Sequence, residues 1–408
     1  MSEPPDEPDP PRFPFPPGKH GDVTPRYAEL RASSPVSRVR LPSGDTAWLV
    51  LRHADAVRVY ADPVFSRRAL TVPGTPRMAP GPDISDDPTG LLNLDPPDHT
   101  RLRRIVRGVF GVRAAEAWRP RSRAIAEELV DAMVAGGSPA DLVEAIAIPL
   151  PLRGICELLG VPPADRELFR DWARKIVSIG AYPPQEVGAA LAAARSYIAD
   201  LVAARRAERP ERPHDLLDQM IAARDVDDLL SEGELLTLSF GLLLNGHDTT
   251  VNSLVRGMLA LLRHPDQWAL LTADPDAVVA GVVEEVLRYA PPSDNGLLRL
   301  ATREVELSGV RIAAGEAVLA PIAAAGRDPA VFTDPERFDV TRDARPHLGF
   351  GHGPHHCLGA HHSRVDLQEA YRALAGRLPG LRPAVGLDDL RWHGGLIGMS
   401  VRELPVSW

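Results

Sequence analysis

Lysine is almost missing from this chain of 408 residues: among its 46 cationic residues only Lys19 and Lys175 are not arginine. The acids number 55, giving a net charge of −9. Such a balance argues against general nucleic-acid binding, although it leaves room for a local basic face. Cysteine is scarcer still. Cys156 and Cys357 lie far apart in unlike contexts, so there is no disulfide framework, and a reducing cytoplasm fits best. No run approaches 18 apolar residues and no charged-then-apolar leader opens the chain, so neither a membrane span nor secretion is expected. With 44% hydrophobic residues, the chain can nevertheless bury a large core.

Residues 1–17 hold eight prolines and read as a disordered or polyproline-like arm, leaving 18–408 as a single domain. Residues 36–51 alternate about a Pro-Ser-Gly-Asp turn, as a β-hairpin does, and a short helix is expected from Ala54 to Tyr60. The Pro-, Gly- and Asp-rich stretch 66–92 lacks periodicity and reads as a lid. Helical patterns follow near 97–110, 114–136, 142–159, 163–179, 186–207 and 213–223. The longest spans 231–263, opening on the capping pair Ser231 and Glu234 and closing before His264-Pro265. Another covers 276–289, short strands are expected over 297–320, and a turn-rich meander leads to a final helix.

Before that helix runs GFGHGPHHCLG, Gly349 to Gly359. Its glycines allow positive-φ turns and a close approach to a flat surface. Cys357 would stand at a helix N-terminus, where free N–H groups and the dipole favour a thiolate. The nearby histidines His352, His355, His356, His361 and His362 suggest zinc, but no second cysteine stands at metal spacing. On the long helix, NGHDTT (Asn245 to Thr250) places an acid and a hydroxyl after the apolar LSFGLLL, and buried polar groups need a reason. Thr side chains can bond back to the i−4 carbonyl, and Gly246 removes bulk, so a groove in mid-helix is expected. Glu285 and Arg288 stand at i and i+3, and His99 and Arg103 at i and i+4, each pair on one helix face.

Phe350, Gly351, Gly353, His355, Cys357, Leu358 and Gly359 resemble the haem-binding loop of the cytochrome P450 family, and the resemblance covers nearly the whole chain after the arm. It implies a mainly α fold with a minor β region, a triangular helical prism. Haem b (iron protoporphyrin IX) would lie between the long central helix and the cysteine-loop helix, with Cys357 as its iron ligand. It implies that Thr249 hydrogen-bonds dioxygen while Asp248 relays protons. Asn245 departs from the small residue the family places there, which leaves open whether the position is only space or meets substrate or water. The resemblance further implies that His99, Arg103, Arg299, His347 and His355 hold the propionates. Glu285 and Arg288 would support the loop together with Arg337 or Arg342. Gly241, Leu244, Asn245, Leu297, Leu298 and the segment Leu396, Ile397 and Met399 would line the substrate space.

The implied activity is a monooxygenase that hydroxylates or epoxidises a small hydrophobic substrate in secondary metabolism, acting as a monomer. Electrons would come from NAD(P)H through a ferredoxin and its reductase, docking on a face with Arg104, Arg107 and Arg364. Oxidative coupling without oxygen insertion and a catalytically idle haem-binding partner are the alternatives. The acid-alcohol pair argues against the idle one.

Overall fold

The computed structural model describes residues 9–81, 84–176, 182–208, 214–392 and 400–408. Where the arm is described it is ordered. Phe13 donates its N–H to the Arg40 carbonyl at 2.8 Å, and Arg40 donates back to Pro11 at 2.9 Å. Phe13 is buried beside Phe15 and Tyr27. Disorder over 1–17 is thus corrected for the latter half: two phenylalanines between the prolines carry enough apolar surface to dock the strand.

Helix α1 (Arg26–Ser33) precedes the antiparallel hairpin β1 (Val36–Arg40) and β2 (Thr46–Val50), in which Val36 pairs with Val50. Helix α2 (His53–Ala61) and β3 (Phe65–Ser66) follow. The helical body comprises α3 (Asp98–Val106), α4 (Val112–Gly136), α5 (Pro149–Leu159), α6 (Arg166–Ile176), α7 (Pro184–Glu208) and α8 (Leu216–Asp225). Strand β4 (Ala140–Asp141) lies between α4 and α5. A π-helical turn at Val143–Ala147 then interrupts the helix expected over 142–159. Pro149 and Pro151 lack N–H groups and cannot continue an i−4 ladder, so the helix begins afresh at Pro149.

Helix α9 (Glu232–Arg263) has 32 residues, about 48 Å at ~1.5 Å per residue. The expected capping box is formed: Glu234 N–H donates to Ser231 Oγ at 3.2 Å, and Ser231 N–H to Glu234 Oε2 at 2.8 Å. His264-Pro265 ends α9 and at once starts α10 (Pro265–Ala273), a helix the sequence pattern missed. Pro at a first helical position is an opening signal as well as a stop. Helix α11 (Pro275–Tyr289) completes this group.

Strands β5 (Arg299–Ala301), β6 (Val305–Leu307), β7 (Val310–Ile312) and β8 (Ala317–Leu319) occupy the expected 297–320 region. They are followed by α12 (Ile322–Ala325), the meander and α13 (Ala360–Arg377), and then by β9 (Arg382–Pro383) and β10 (Pro405–Ser407). The main sheet runs β1-β2-β8-β5-β3, with β2 and β8 parallel. Smaller sheets are β4-β10-β9 and β6-β7. Helix α9 packs against α5, α7, α11 and α13 and so forms the axis of the core.

By length and composition α7 could cross a bilayer, with a window of mean hydropathy 1.4. Its alanines pass that test where a count of uninterrupted apolar runs did not. Here Ala190, Ala194, Ile198 and Val202 turn into the core shared with α9.

Candidate functional site

The cysteine loop is a tight, internally bonded structure. Gly351 and Gly353 take φ of 69° and 70°, and Cys357 N–H donates to the Phe350 carbonyl at 2.8 Å. Gly353 also has a packing reason: a Cβ there would lie 2.5 Å from the Tyr60 carbonyl of α2. Cys357 has open surface of its own, yet loss of hydration dominates its titration and holds the thiol above its usual range. Both hold together if the side chain faces an internal space. The Gly359 N–H, Arg103 and Arg364 act in the opposite direction, favouring thiolate. A bound metal ion would complete that deprotonation.

Around this loop gathers positive potential. The rings of His99 (α3) and His355 lie 4.4 Å apart. Burial, reinforced by neighbouring cations that include Arg103 and Arg299, lowers His99 to about 4 and His355 to about 2. Arg299, on β5, is buried, and burial lowers its pKa; its NH1 reaches the Phe65 carbonyl at 3.3 Å. His355 Nε2 and Arg299 Nε are buried with no hydrogen-bond partner. Asp95, whose charge is felt at His99 and Arg299, accepts instead from Ser66 Oγ and from Arg67 N–H at 3.1 Å. Among the described residues, His99, Arg103 and Arg299 have no ion pair. A buried cation such as Arg299 normally has a partner, and with Arg103 and the neutral rings of His99 and His355 beside it the set fits an anionic group that is not part of the chain.

His347 does not join them. Its Nε2 meets Glu284 Oε2 at 2.9 Å while its Nδ1 accepts from Gly349 N–H at 3.0 Å, leaving neither nitrogen for a cofactor carboxylate. Arg364 is likewise committed to Glu284, at 2.6 and 3.0 Å, and stacks on Phe350 at 4.5 Å. It is therefore removed from the free basic face, while Arg104 and Arg107 remain exposed. Opposed by its own burial, Glu284 is still driven down to about 2 by its bonds to His347 and Arg364. In the sequence its neighbour Glu285, with Arg288 at i+3, carries the visible pattern, and nothing local marks Glu284.

Glu285 and Arg288 are wholly buried and bidentate, at 2.7 Å for both contacts. Arg288 also donates to the carbonyls of Gly326, Pro335 and Arg337, and Glu285 accepts from Asp339 N–H at 2.8 Å. The open choice of third arginine resolves to Arg342, whose Nε lies 3.6 Å from Glu285. Arg337 contributes only its carbonyl and turns its side chain towards Asp339.

On α9, Thr249 Oγ1 donates to the Asn245 carbonyl at 3.0 Å, the expected i−4 bond. Asn245 and Thr249 have open surface in mid-helix. Gly246 does not make the groove: a Cβ there would strike Ile155 of α5 at 2.8 Å, so its missing side chain serves helix packing on another face. Burial raises Asp248 to about 6, against the lowering effects of Asn252 at 3.2 Å and of the Arg174 charge. Thr250 Oγ1 lies 3.3 Å from Ser363 Oγ, which brings the first turn of α13, the helix that follows the cysteine loop, alongside this polar stretch.

The expected pocket residues divide. Gly241 and Asn245 share the open face of α9. Leu244 instead lines a small apolar pocket with His247, Leu152, Phe169 and Trp172, between α5, α6 and α9. Leu298 is buried in the core beside Leu300 and Leu319, and Leu297 is half-buried. Leu396, Ile397 and Met399 lie outside the described residues. Zinc finds no support: among the described residues no group of three His, Cys, Asp or Glu could hold a metal ion.

Arg67 was missed altogether. It is buried and donates to the Leu298 carbonyl at 2.6 Å and to Asn93 Oδ1 at 2.7 Å, tying loop 66–92 to the sheet. Asp87 in the same loop accepts from Arg195 of α7 at 2.9 Å and from Thr237 of α9 at 3.3 Å. The expected lid is thus anchored at its base and along its flank.

The Cytochrome P450 family model matches residues 184–370. Nocardicin C N-oxygenase of Nocardia uniformis subsp. tsuyamanensis is 43% identical over 390 residues, 95% of this chain and 96% of that protein. The chain belongs to the cytochrome P450 family. The mycinamicin IV hydroxylase/epoxidase of Micromonospora griseorubida is 44% identical to this P450, covering 94% of this chain and 95% of that protein. The solved structure of HinD with NMFT and NO superposes with a TM-score of 0.92 at 44% identity, covering 98% of this chain and all of that one. The expected fold and monooxygenase class therefore hold. For a P450 the implied cofactor is haem, a macrocycle with two carboxylates, and the orphaned Arg299 and His355 nitrogens fit it.

Proposed function

We propose that this P450 hydroxylates or epoxidises a small hydrophobic molecule in secondary metabolism, in the cytoplasm. Its electrons would come from NAD(P)H through a ferredoxin and its reductase. The observation that carries the reading is the pairing of Asp248 and Thr249 on α9, beside the helix that follows Cys357. An acid pushed up to about 6 is partly protonated near neutrality, so it can give and regain a proton, as a relay must. Thr249, with its hydroxyl held by the Asn245 carbonyl, can present a lone pair or pass a proton along the helix face.

Cys357 holds the iron of haem b, while Arg103, Arg299, His99 and His355 hold the two propionates. When bound, that haem supplies dioxygen activation, and a thiolate ligand favours O–O cleavage. Arg104 and Arg107, exposed on and just after α3, belong to the face that receives an acidic electron donor. His347 and Arg364 act through Glu284 to hold the loop rather than the cofactor. The activities for which the two relatives are named, N-oxygenation and hydroxylation or epoxidation, both add oxygen, which supports insertion over coupling.

The test is turnover with a surrogate ferredoxin chain and a panel of hydrophobic natural products. Substrate-dependent NAD(P)H oxidation with a product gaining one oxygen atom is expected. A product that loses hydrogen without gaining oxygen would replace this reading with coupling.

A further inference from the structure

Asn245 presents an amide to the open face of α9 one turn before Thr249, directly after three leucines. Its Nδ2 donates to the Gly241 carbonyl at 2.7 Å. A carbonyl can only accept, so the nitrogen must face Gly241 and the amide oxygen must turn away from it. That oxygen has no partner among the described residues. Thr249 cannot satisfy it, because the threonine hydroxyl donates to the backbone carbonyl of Asn245 instead. Gly241 adds no side chain to cover the amide, and the bond to its carbonyl restrains the amide's rotation.

The geometry points to Asn245 as a specificity-determining residue: Oδ1 is an oriented acceptor, selecting substrates that carry a hydroxyl or N–H donor close to the atom oxidised. This rests on the reading that the Asn245-Thr249 face borders the reacting centre. An apolar helix face would accept any hydrophobic molecule of the right size. An oriented acceptor changes that, because a substrate without a donor strips water from the amide and returns nothing. Sites of this kind discriminate against the analogue lacking the donor far better than apolar pockets discriminate by size. The substrate class is therefore a hydrophobic scaffold bearing an alcohol, phenol, amine or amide N–H.

The probe pair is imidazole and 1-methylimidazole. Both coordinate haem iron through one nitrogen, whereas only imidazole keeps an N–H, which rotation about the iron bond can aim at a neighbouring acceptor. Spectral titrations of the haem-loaded full chain give the affinity ratio of the two ligands. In Asn245→Ala that ratio is expected to move about tenfold towards 1-methylimidazole, the size of one hydrogen bond left unpaired. Asn245→Asp, which keeps an acceptor, is expected to preserve the preference for imidazole. An unchanged ratio in Asn245→Ala would overturn the assignment. Loss of the thiolate-type absorption of the reduced carbon monoxide complex in the unaltered protein would instead sink the site reading beneath it.

Discussion

The rings of His99 and His355 meet at 4.4 Å, tilted by 50°, between α3 and the cysteine loop, and both are held neutral beside Arg103 and Arg299. Such a cluster is unfavourable until an anion arrives. Arg299→Leu is therefore expected to weaken haem retention by about 100-fold, while the cofactor-free chain unfolds no more easily than before, since an unpaired buried charge has been removed. Haem transfer to an acceptor protein gives the first quantity, and denaturant unfolding of the apoprotein the second. A variant that keeps its haem as tightly would show that Arg299 holds something else.

Glu285 and Arg288 are both fully buried, and between them they bind the meander at Gly326, Pro335, Arg337 and Asp339. Removing one partner leaves the other charge stranded. Glu285→Ala is expected to cost about 3–5 kcal/mol and to lose haem with the fold. Urea denaturation measures it, and a cost under about 1 kcal/mol would mean that water replaces the carboxylate.

Asp248 combines a cost in stability with a gain in function. Its folded pKa of about 6 lies above the ordinary 3.8, so folding favours the protonated form. The penalty is absent below pH ~4, grows as pH rises through ~6 and is then constant, amounting to at most about 3 kcal/mol. Asp248→Asn is thus expected to be more stable than the parent at pH 7 and equal to it at pH 4, while its NAD(P)H consumption yields peroxide in place of product. Parallel melting curves at the two pH values and a peroxide assay check both halves. Equal stability at pH 7 would show the carboxylate to be well hydrated.

Arg195 on α7 and Asp87 in loop 66–92 form the kind of exposed ion pair worth roughly 0–1 kcal/mol. Its weakness suits a contact that opens and closes. Arg195→Ala is expected to raise the association rate of 1-methylimidazole up to about fivefold, with salt producing the same rise in the parent but not in the variant. Stopped-flow mixing reads this directly, and a salt-independent parent would remove the pair from the access route.

Much of the site was legible because its chemistry requires contiguous residues. The loop around Cys357, the i−4 hydroxyl of Thr249 and the capping box of α9 are local patterns, and each lies where its spacing placed it. What escaped was decided by distant packing. Arg67 looks like half of a surface Arg-Arg pair until the Leu298 carbonyl is seen to need it. Glu284 and Glu285 are adjacent in sequence yet point to different partners, one to the cysteine loop and one to the meander. Gly246 suggests a groove by its missing side chain, but Ile155 of α5 occupies that space. Phe13 was hidden by the prolines around it.

The proposed activity depends most on Cys357 being the ligand of a haem iron. The direct measurement is the absorption spectrum of the reduced carbon monoxide complex of the parent and of Cys357→Ala, both reconstituted with haem. The parent should give the thiolate-type band and the variant should lose it, even where some haem stays bound. An unchanged band in Cys357→Ala would contradict the assignment.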